Sequence, residues 1–432
     1  MALLAQRIAA LGTENAFKVG GDIAQAQALG QDVIKFNLGE PDFDSAPHIN
    51  LVGCEEINSG NSHYCDPAGL PAFRESIARF AGELRGMDFD PEQIVVTPGA
   101  KPPIGYSMLS YINAGDEVVY PSPGFPIYES FITFVGAIAR PLHLREEKGF
   151  AFSAEDLEPL LSEKTKLIII NSPSNPTGGV LSPDDLSQIA TVIREKCSPD
   201  VRVFSDEVYD QILFDGETHH TIANLEGMAE RTIIGSGHSK AYAMTGWRLG
   251  FAILPTVEEA RIFKQLNINL VSCVPPFVQL AGKEAYDNPE STQVVAHMNA
   301  EFQIRRDIVV EGLNAIDGVS CQTPRGAFYV FPNIGGVCES IGALEAHQKL
   351  DDSIRSKTSP STLVQMYLIY RHGVATMDRR SFGAIGSESM HFLRLSIATD
   401  LESLKTGVER MRTAFSDRDG FARFVAEGKY LY

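Results

Sequence analysis

The sequence predicts an α/β protein with a mostly parallel sheet that is sandwiched between helices. Between about residues 66 and 254, short apolar runs of strand length alternate with stretches that have helical spacing. Most of the strand-like runs end in a polar turn that is rich in glycine, proline or serine. This repeated order of strand, polar turn and helix is typical of parallel sheets, because each helix returns the chain to the same edge.

The elements of this region follow in order along the chain. Apolar residues at every third or fourth position predict a helix over residues 69–84, and a second helix begins at about residue 102. The predicted strands cover residues 94–97, 117–120, 167–170, 201–204, 232–235 and 250–254. Four consecutive strands of this set lead into the turns PSPG, NSPSNPTGG, SDEVY and SGHSK. Parallel sheets carry their sites beyond the carboxyl ends of the strands, so we expect these turns to meet at one site.

The rest of the chain predicts a second, smaller α/β layer that is built from both termini. A helix and two strands are predicted at residues 301–313, 327–331 and 392–397. We therefore expect a large domain at residues 48–290 and a small domain formed by residues 1–47 and 291–432. The polar stretch 335–362 predicts an inserted surface loop with one short helix.

Composition and charge exclude several classes of function. The 37 basic and 55 acidic residues give a net charge of −18, which disfavours binding to nucleic acid or to an anionic membrane. Residues 1–17 predict an amphipathic helix with no cleavage pattern, and the longest apolar runs are strand-sized. The six cysteines have no CxxC spacing, so we expect free core thiols, no metal site and a cytoplasmic location.

Three residues at the predicted strand ends carry acid–base or nucleophilic side chains. Lys240 has small or apolar neighbours, and Arg248 follows eight residues later. Partial burial and a nearby cation both lower a lysine pKa, which favours a Schiff-base nucleophile, although an ordinary surface lysine remains the alternative. Asp206, with Tyr209 three residues on, either caps a helix or holds a pyridine nitrogen in its protonated form.

Other residues near the strand ends could contact the rest of a flat, phosphorylated ligand. Asn175 could donate to a phenolate oxygen or simply stabilise its turn. Gly99 and Ala100 open a helix, where backbone N–H groups can approach a phosphate. Phe125 could stack on a ring or belong to the core. Arg394 lies in an apolar strand and requires an anionic partner, for which a substrate carboxylate is one candidate.

Together these segments resemble the class I/II aminotransferases, which are fold type I pyridoxal-phosphate (PLP) enzymes, and most of all the bacterial aspartate aminotransferase subgroup. The matching segments are NLGEPDF (37–43), YCDPAGLPAFR (64–74), VTPGAK (96–101), GDEVVYPSPGFPIY (115–128), NSPSNPTGG (171–179), SDEVY (205–209), SKAYAMTGWRLGF (239–251), PRGAFYVFP (324–332) and FLRLSIA (392–398). The resemblance implies the fold type I architecture and transfer of an amino group between an L-amino acid, favouring aspartate or glutamate, and a 2-oxo acid.

The resemblance also implies roles for individual residues. Lys240 would bond the cofactor as a Schiff base and then move a proton between the substrate Cα and the cofactor. Asp206 would pair with the pyridine nitrogen, while Tyr209 and Asn175 would bond the phenolic oxygen. Phe125 would stack on the ring. The phosphate would be bound by Gly99, Ala100, Ser239 and Arg248.

Further roles concern the substrate and the oligomer. Gly39, Asn175 and Arg394 would hold the α-carboxylate of the substrate. Lys101 would contact the distal carboxylate of aspartate or glutamate, unless it is a solvent-facing lysine at the start of a helix. Tyr64 would reach the phosphate in the neighbouring subunit, which implies a homodimer.

The sequence departs from the family pattern in three places, and in addition a tail follows about Phe415. The segment TMDRRSFG (376–383) has Asp378 and Arg379 where the family usually has proline and glycine. Arg379 and Arg380 could therefore read an acidic substrate or could be surface charges. Gly237 replaces a serine or threonine, so one phosphate contact is expected to be missing. The stretch 335–362 also looks longer than usual.

Two other functions are compatible with the same motifs. A lyase, a decarboxylase or a biosynthetic cyclase would use the same lysine and aspartate on this scaffold. A PLP-sensing transcription regulator is disfavoured, because the family segments begin by Asn37, which leaves no room for a DNA-binding domain, and the chain is acidic.

Overall fold

The strands of the protein form three sheets in the computed structural model, which describes residues 4–12 and 15–431. The strands are β1 (Ile34–Lys35), β2 (Ile94–Thr97), β3 (Glu117–Ser122), β4 (Ile138–His143), β5 (Thr165–Asn171), β6 (Arg202–Asp206), β7 (Thr232–Gly237), β8 (Gly250–Ile253), β9 (Tyr329–Val330), β10 (Val374–Ala375), β11 (Met377–Asp378) and β12 (Leu393–Ser396). The large sheet has the order β2–β8–β7–β6–β5–β3–β4. β8 runs antiparallel to the other six strands of this sheet, so the predicted mostly parallel sheet is confirmed.

Helices cover both faces of this large sheet. The helices are α1 (Asn15–Ala28), α2 (Pro47–Asn58), α3 (Pro71–Arg85), α4 (Lys101–Tyr111), α5 (Ile127–Phe134), α6 (Ala154–Leu157), α7 (Pro183–Lys196), α8 (Val257–Leu270), α9 (Pro276–Asp287), α10 (Glu290–Asn314), α11 (Gly335–Ser340), α12 (Ala343–Gln348), α13 (Asp352–Arg355), α14 (Pro360–Tyr367), α15 (Leu401–Ser416) and α16 (Arg418–Glu427). Alternate strand residues point to opposite faces. Val95 and Leu167 share a core cluster with α4, α5 and α8, whereas Val96 packs with α3 and α9, and Ile168 with α7.

The predicted strands of the large sheet were all found, but β4 was not predicted. Its sequence, IARPLH, contains a proline and lacks a continuous apolar run. β4 lies at the edge of the sheet, and most of its residues are partly exposed. An edge strand tolerates proline and polar residues because one side of its backbone is unpaired, so the apolar signal of a central strand is missing.

Two small sheets are built from residues near both ends of the chain. β1 pairs with β10 in parallel, and β11, β12 and β9 form an antiparallel sheet in that order. Met377 lies opposite Arg394 in the second of these sheets. Two predicted strands contain β9 and β12, and α10 contains the predicted helix. These elements confirm the smaller α/β layer.

The prediction of a surface loop at residues 335–362 was wrong. This stretch holds α11, α12 and α13 and the start of α14. Val337, Cys338 and Ala343 are fully buried in the largest apolar cluster. The helical spacing was hard to detect because each helix is short and Gly342, with a φ of +83°, interrupts the pattern between α11 and α12.

The N-terminal segment does not form the predicted continuous helix, and the C-terminal end packs onto the rest of the protein. Instead of a continuous helix over residues 1–17, the structure has a 3₁₀ helix at Gln6–Ala10 and then α1, and residues 1–3, 13 and 14 lie outside the described part. At the other end, Tyr430 stacks on Tyr370 with ring centroids 4.1 Å apart. No helix in the described chain is long and apolar enough to span a membrane.

All six cysteines are free thiols, as predicted, but their burial varies. Cys321 and Cys338 are buried, whereas Cys54 is exposed. The remaining three cysteines are half-buried. The expectation of core thiols therefore holds for two of the six.

Candidate active site

The carboxyl ends of the central strands open into a cavity of about 440 Å³. β6 ends at Asp206 and β5 at Asn171, and the turn after β7 carries Lys240. The fold therefore brings the polar turns together at one edge of the sheet, as the parallel strand order requires. The cavity is lined by these predicted residues: Gly39, Ala100, Lys101, Phe125, Asn175, Asp206, Tyr209, Ser239, Lys240, Arg248 and Arg394.

Lys240 and Asp206 are the reactive groups at the centre of the cavity. The Lys240 ammonium donates to the carbonyl oxygen of Gly39 at 2.5 Å and lies 5.7 Å from the ring centroid of Phe328. Asp206 is buried, and its Oδ2 accepts a hydrogen bond from the Tyr128 hydroxyl at 2.5 Å. Burial raises the pKa of the Asp206 carboxyl to about 6, while the Tyr128 hydrogen bond opposes that shift.

Asparagine side chains fix the ends of β5 and β6 relative to each other. The Asn171 side chain donates to the carbonyl oxygen of Asp206 at 3.0 Å. Its Oδ1 accepts from the backbone N–H of Asn175 at 2.9 Å. The Asn175 amide oxygen in turn accepts from Arg394 at 3.3 Å. One chain of hydrogen bonds therefore connects the strand end that carries Asp206 with the guanidinium of Arg394.

Arg394 lines the cavity with Tyr329 and also packs against Phe382. Its guanidinium carbon lies 4.6 Å from the centroid of Tyr329 and 5.0 Å from that of Phe382. The guanidinium also donates to the carbonyl oxygen of Asn37. The hydroxyl of Tyr329 is 2.7 Å from that of Tyr209, and burial keeps the pKa of Tyr209 well above 10. Tyr209 is therefore a neutral phenol, which is able to donate a hydrogen bond.

The other end of the cavity has the features of a phosphate site. α4 begins at Lys101, which lines the cavity together with Ala100, so the positive end of the helix dipole faces the cavity. Pro102 and Pro103 have no backbone N–H, so the N–H groups at this helix start are those of Ala100 and Lys101. Arg248 lies beside this helix start and donates to the carbonyl oxygen of Thr245 at 2.7 Å. Gly99 has a φ of +90°, and a Cβ at this position would lie 2.2 Å from Arg248 Nη2. Glycine is therefore required for the close approach of the arginine.

Two predicted site residues do not line the cavity. Gly99 lies behind Arg248, as described above, and Tyr64 is 88% exposed on the surface. Lys101 does line it, with its ammonium 5.5 Å from the ring centroid of Phe125. Lys101 is therefore a cavity lysine rather than one that faces only solvent.

The departures from the family pattern also have structural reasons. A Cβ at Gly237 would lie 2.8 Å from Gly250 Cα and from the Leu249 carbonyl oxygen, so the β7–β8 pairing excludes a serine or threonine. Arg379 is buried outside the cavity, and Arg380 donates to the Ser356 carbonyl oxygen at 2.8 Å. The expectation that Arg379 is either a direct substrate contact or a surface charge was therefore wrong.

Comparison with known proteins identifies the family. Residues 31–411 match the family model described as aminotransferase class I and II. The chain belongs to the class I and II aminotransferases. A probable aspartate/prephenate aminotransferase of Aquifex aeolicus is 34% identical over 96% of this chain and 99% of that protein. An aromatic-amino-acid aminotransferase of Thermococcus litoralis is 33% identical over 90% of this chain and 93% of that protein.

A solved structure agrees with this assignment. The aspartate aminotransferase of Rhizobium meliloti is 31% identical and matches 95% of this chain and 98% of its own, with a TM-score of 0.85. The fold type I architecture is thereby confirmed. Because this family uses PLP, the protein is a PLP-dependent aminotransferase.

The cavity of this aminotransferase fits PLP. A buried carboxylate at Asp206 suits a protonated ring nitrogen, and a lysine amine lies within the same cavity. The N-terminus of α4 and Arg248 suit a phosphate dianion at the opposite end. A flat aromatic ring, that of Phe125, also lines the cavity.

Sequence reasoning missed several residues of the aminotransferase site. Tyr128 was not predicted, although it lies three residues after Phe125 in the same motif and therefore on the same side of a helical turn. Asn171 and Tyr329 were also missed, because asparagine in a turn and tyrosine in a strand are common without any function. Glu40 lines the cavity as well, where it accepts from the Thr245 hydroxyl.

Proposed function

We propose that this aminotransferase acts on L-amino acids with two carboxylates, such as aspartate and glutamate, and on the matching 2-oxo acids. One observation carries the proposal: besides Lys240 and Arg248, which are assigned to the cofactor, the same cavity holds two further cationic side chains, Arg394 and Lys101. Arg394 lies against Tyr329 and Phe382, whereas Lys101 lies near Phe125. The names of the Aquifex and Rhizobium relatives, which refer to aspartate, support this substrate class.

The two cations divide the recognition of the substrate. The planar guanidinium of Arg394, with Gly39 and Asn175 beside it, suits bidentate binding of the α-carboxylate. The Lys101 ammonium is a point charge on a flexible stem, so it suits a distal carboxylate without fixing its orientation. The Phe125 ring beside it also accommodates an apolar side chain, as the aromatic substrates named for the Thermococcus relative would need.

Lys240 is the residue that we assign to covalent attachment and proton transfer. PLP, when bound, supplies an electron sink for the electron pair that remains on the substrate Cα after deprotonation. Lys240 would accept that Cα proton and return it to the C4′ carbon of the cofactor. The Gly39 carbonyl, which accepts from the Lys240 ammonium, holds the side chain inside the cavity.

Asp206, Tyr209 and Asn175 set the charge of the bound ring. Asp206 is the partner of the ring nitrogen, and the Tyr128 hydroxyl favours its ionised form. Tyr209 and Asn175 donate to the phenolic oxygen, with Tyr209 held in place by Tyr329. Ala100, Ser239 and Arg248 bind the phosphate.

We also propose that the working unit is a homodimer in which Tyr64 completes the neighbouring site. Tyr64 is 88% exposed, and Leu270 in α8 is 58% exposed. The two lie on adjacent segments, since Cys65 Sγ is 3.5 Å from the Val274 carbonyl oxygen. The exposure of a tyrosine and a leucine on adjacent segments supports an interface at this surface.

The proposed division of the chain follows the sheets. We propose a large domain at residues 48–290 and a small domain at residues 1–47 and 291–432. The strands of the large sheet all fall between Ile94 and Ile253, and those of the two small sheets lie outside that range. A cytoplasmic location is part of the same proposal, supported by the six free thiols.

The proposed substrate class is tested by half-reactions with single amino acids. Aspartate or glutamate, added without any 2-oxo acid, is expected to remove the visible absorption of the lysine-bound cofactor and to release one equivalent of 2-oxo acid. Continued product release with the lysine-bound absorption restored would point to a lyase or a decarboxylase instead. A faster half-reaction with apolar amino acids than with aspartate and glutamate would contradict the proposed specificity.

A further inference from the structure

The side chain of Arg379 is among the largest fully buried side chains in the protein. Its Nη1 donates to the Gly383 carbonyl oxygen at 2.8 Å, and its Nη2 donates to Ser122 Oγ at 3.0 Å. Burial lowers the pKa of this guanidinium to about 10, so it remains a cation at neutral pH. A buried cation is costly, and the loss of either acceptor would leave a donor unsatisfied.

The two acceptors belong to segments that are far apart in the chain. Ser122 is the last residue of β3, and Gly383 follows the 3₁₀ turn Arg379–Phe382. The Gly124 N–H donates to the Phe382 carbonyl oxygen at 2.9 Å, and the Ala384 N–H donates to Glu129 at 3.1 Å. The segment 379–384 is therefore bonded along its length to the segment 122–129.

Gly383 permits this close contact. Its φ is +113°, and a Cβ at this position would lie 3.1 Å from Ser122 Oγ. The chain thus places the guanidinium of Arg379, the Ser122 hydroxyl and a glycine backbone in one small space. The planar fork of arginine can reach two acceptors at once in a fixed geometry, whereas a lysine ammonium cannot fix them in the same way.

Both bonded segments reach the active-site cavity, one through Phe125, which lines it, and the other through Phe382, which packs against the lining residue Arg394. On one side, the ring of Phe382 lies 5.0 Å from the guanidinium carbon of Arg394. On the other side, Phe125 follows Gly124 directly and lies 5.5 Å from the ammonium of Lys101. The contacts of Arg379 thus join the wall that contains Arg394 to the wall that contains Lys101.

We propose that Arg379 is a specificity-positioning residue, which sets the distance between Arg394 and the Phe125–Lys101 wall and thereby the length of substrate that is preferred. This inference rests on the proposed function, in which Arg394 and Lys101 bind the two carboxylates of one substrate. Arg379 touches neither the substrate nor the cofactor. It acts through the bonds to Ser122 and Gly383.

The test compares dicarboxylic amino acids of increasing length: aspartate, glutamate and 2-aminoadipate. The variants are Arg379→Met and Ser122→Ala. The matched control is Arg380→Met, because Arg380 is the next residue along the chain and donates to an exposed carbonyl, that of Ser356. For each protein we compare kcat/KM for the preferred amino acid with kcat/KM for the amino acids of other lengths. In Arg379→Met this ratio is expected to fall by about tenfold, mainly through a change in KM, because Arg379 no longer holds the two sides of the cavity at a fixed distance. Ser122→Ala changes the ratio in the same direction by a smaller factor, and Arg380→Met leaves it unchanged.

Several readouts separate positioning from a general structural role. The absorption of the lysine-bound cofactor and its pH dependence are expected to stay as in the unmodified enzyme, and Arg379→Lys is expected to restore part of the ratio. An equal loss of kcat/KM for all three lengths overturns the proposal, as does an Arg380→Met variant that behaves like Arg379→Met. Where Arg379→Met does not fold, an unchanged ratio in Ser122→Ala overturns it. Absence of any transamination of dicarboxylic substrates by the unmodified enzyme would instead refute the proposed function.

Discussion

Asp206 and Glu207 are adjacent carboxylates whose pKa values are shifted in opposite directions. Burial raises the pKa of Asp206 to about 6. Burial acts in the same sense on Glu207, but Arg85 and His219 outweigh it and hold the pKa of Glu207 below its usual value. Arg85 is 2.7 Å from Glu207, and His219 is 2.8 Å from the same carboxylate. The residue that faces the cavity is therefore the one whose charge depends on what binds there, which is typical of functional sites.

The raised pKa of Asp206 makes a prediction for the cofactor-free protein. Because its pKa is higher in the folded than in the unfolded chain, this group lowers stability as the pH rises from about 4 to about 6. Asp206→Asn is expected to remove that loss and to raise the free energy of unfolding at pH 7 by about 1–3 kcal/mol. Urea unfolding of the variant and of the unmodified protein at pH 4.5 and pH 7 measures this difference in the free energy of unfolding. A variant with lower stability at pH 7 and the same pH dependence would contradict the assignment.

The proposed role of Lys101 predicts a loss that depends on the substrate. Lys101→Gln removes the charge while keeping a side chain of similar length, so kcat/KM for aspartate and glutamate should fall by about 10–100-fold. Apolar amino acids should change by less than about threefold, since they make no ion pair with this residue. Steady-state kinetics with both classes provides the measurement, and Lys349→Gln, an exposed lysine paired with Glu345, is the control. Equal losses for both classes would point to a structural role.

At the scale of elements, the sequence predicted the strands and helices, because a local pattern of apolar and polar residues encodes them. β5 and β6 are continuous apolar runs because both faces of these strands are covered, and their turns carry the polar groups. The contacts that complete the site join distant positions: Tyr128 reaches Asp206 across 78 residues, and Tyr329 reaches Tyr209 across 120. No local pattern distinguishes such a tyrosine from one in the core. The same limit applies to Arg379, whose partner Ser122 is 257 residues away.

The start of α4 gives a prediction with a closely matched control. Gly99 and Gly30 have nearly equal φ values, +90° and +91°, but a Cβ would meet Arg248 only at Gly99. Gly99→Ala and Gly30→Ala should therefore each introduce a similar backbone strain of about 1 kcal/mol. Only Gly99→Ala should also displace Arg248 and weaken PLP binding, by about tenfold or more. Cofactor titration followed by absorbance tests this, and equal affinities in the two variants would contradict the phosphate site.

At the scale of the whole molecule, Tyr64 is proposed to act in the neighbouring subunit. Lys240→Ala and Tyr64→Ala are each expected to lose most activity as separate homodimers. In a hybrid dimer, the subunit with an intact Lys240 receives the intact Tyr64 from its partner, so about half of the sites should be restored. Mixing the two proteins under conditions that exchange subunits and measuring turnover tests this. No recovery in verified hybrids would mean that Tyr64 acts only within its own chain or plays no part.

The hairpin formed by β7 and the antiparallel β8 has a consequence for catalytic turnover. Gly237 pairs with Gly250, so Lys240 and Arg248 lie on a single connection whose ends are fixed by strand pairing. Within one chain, the groups assigned to the cofactor come from residues 100–248, whereas Gly39 and Arg394 come from the terminal parts. Movement of the terminal parts away from the sheet would open the side of the cavity that binds substrate and leave the phosphate-binding groups in place. The cofactor would then stay bound through the half of each cycle in which it is not bonded to Lys240.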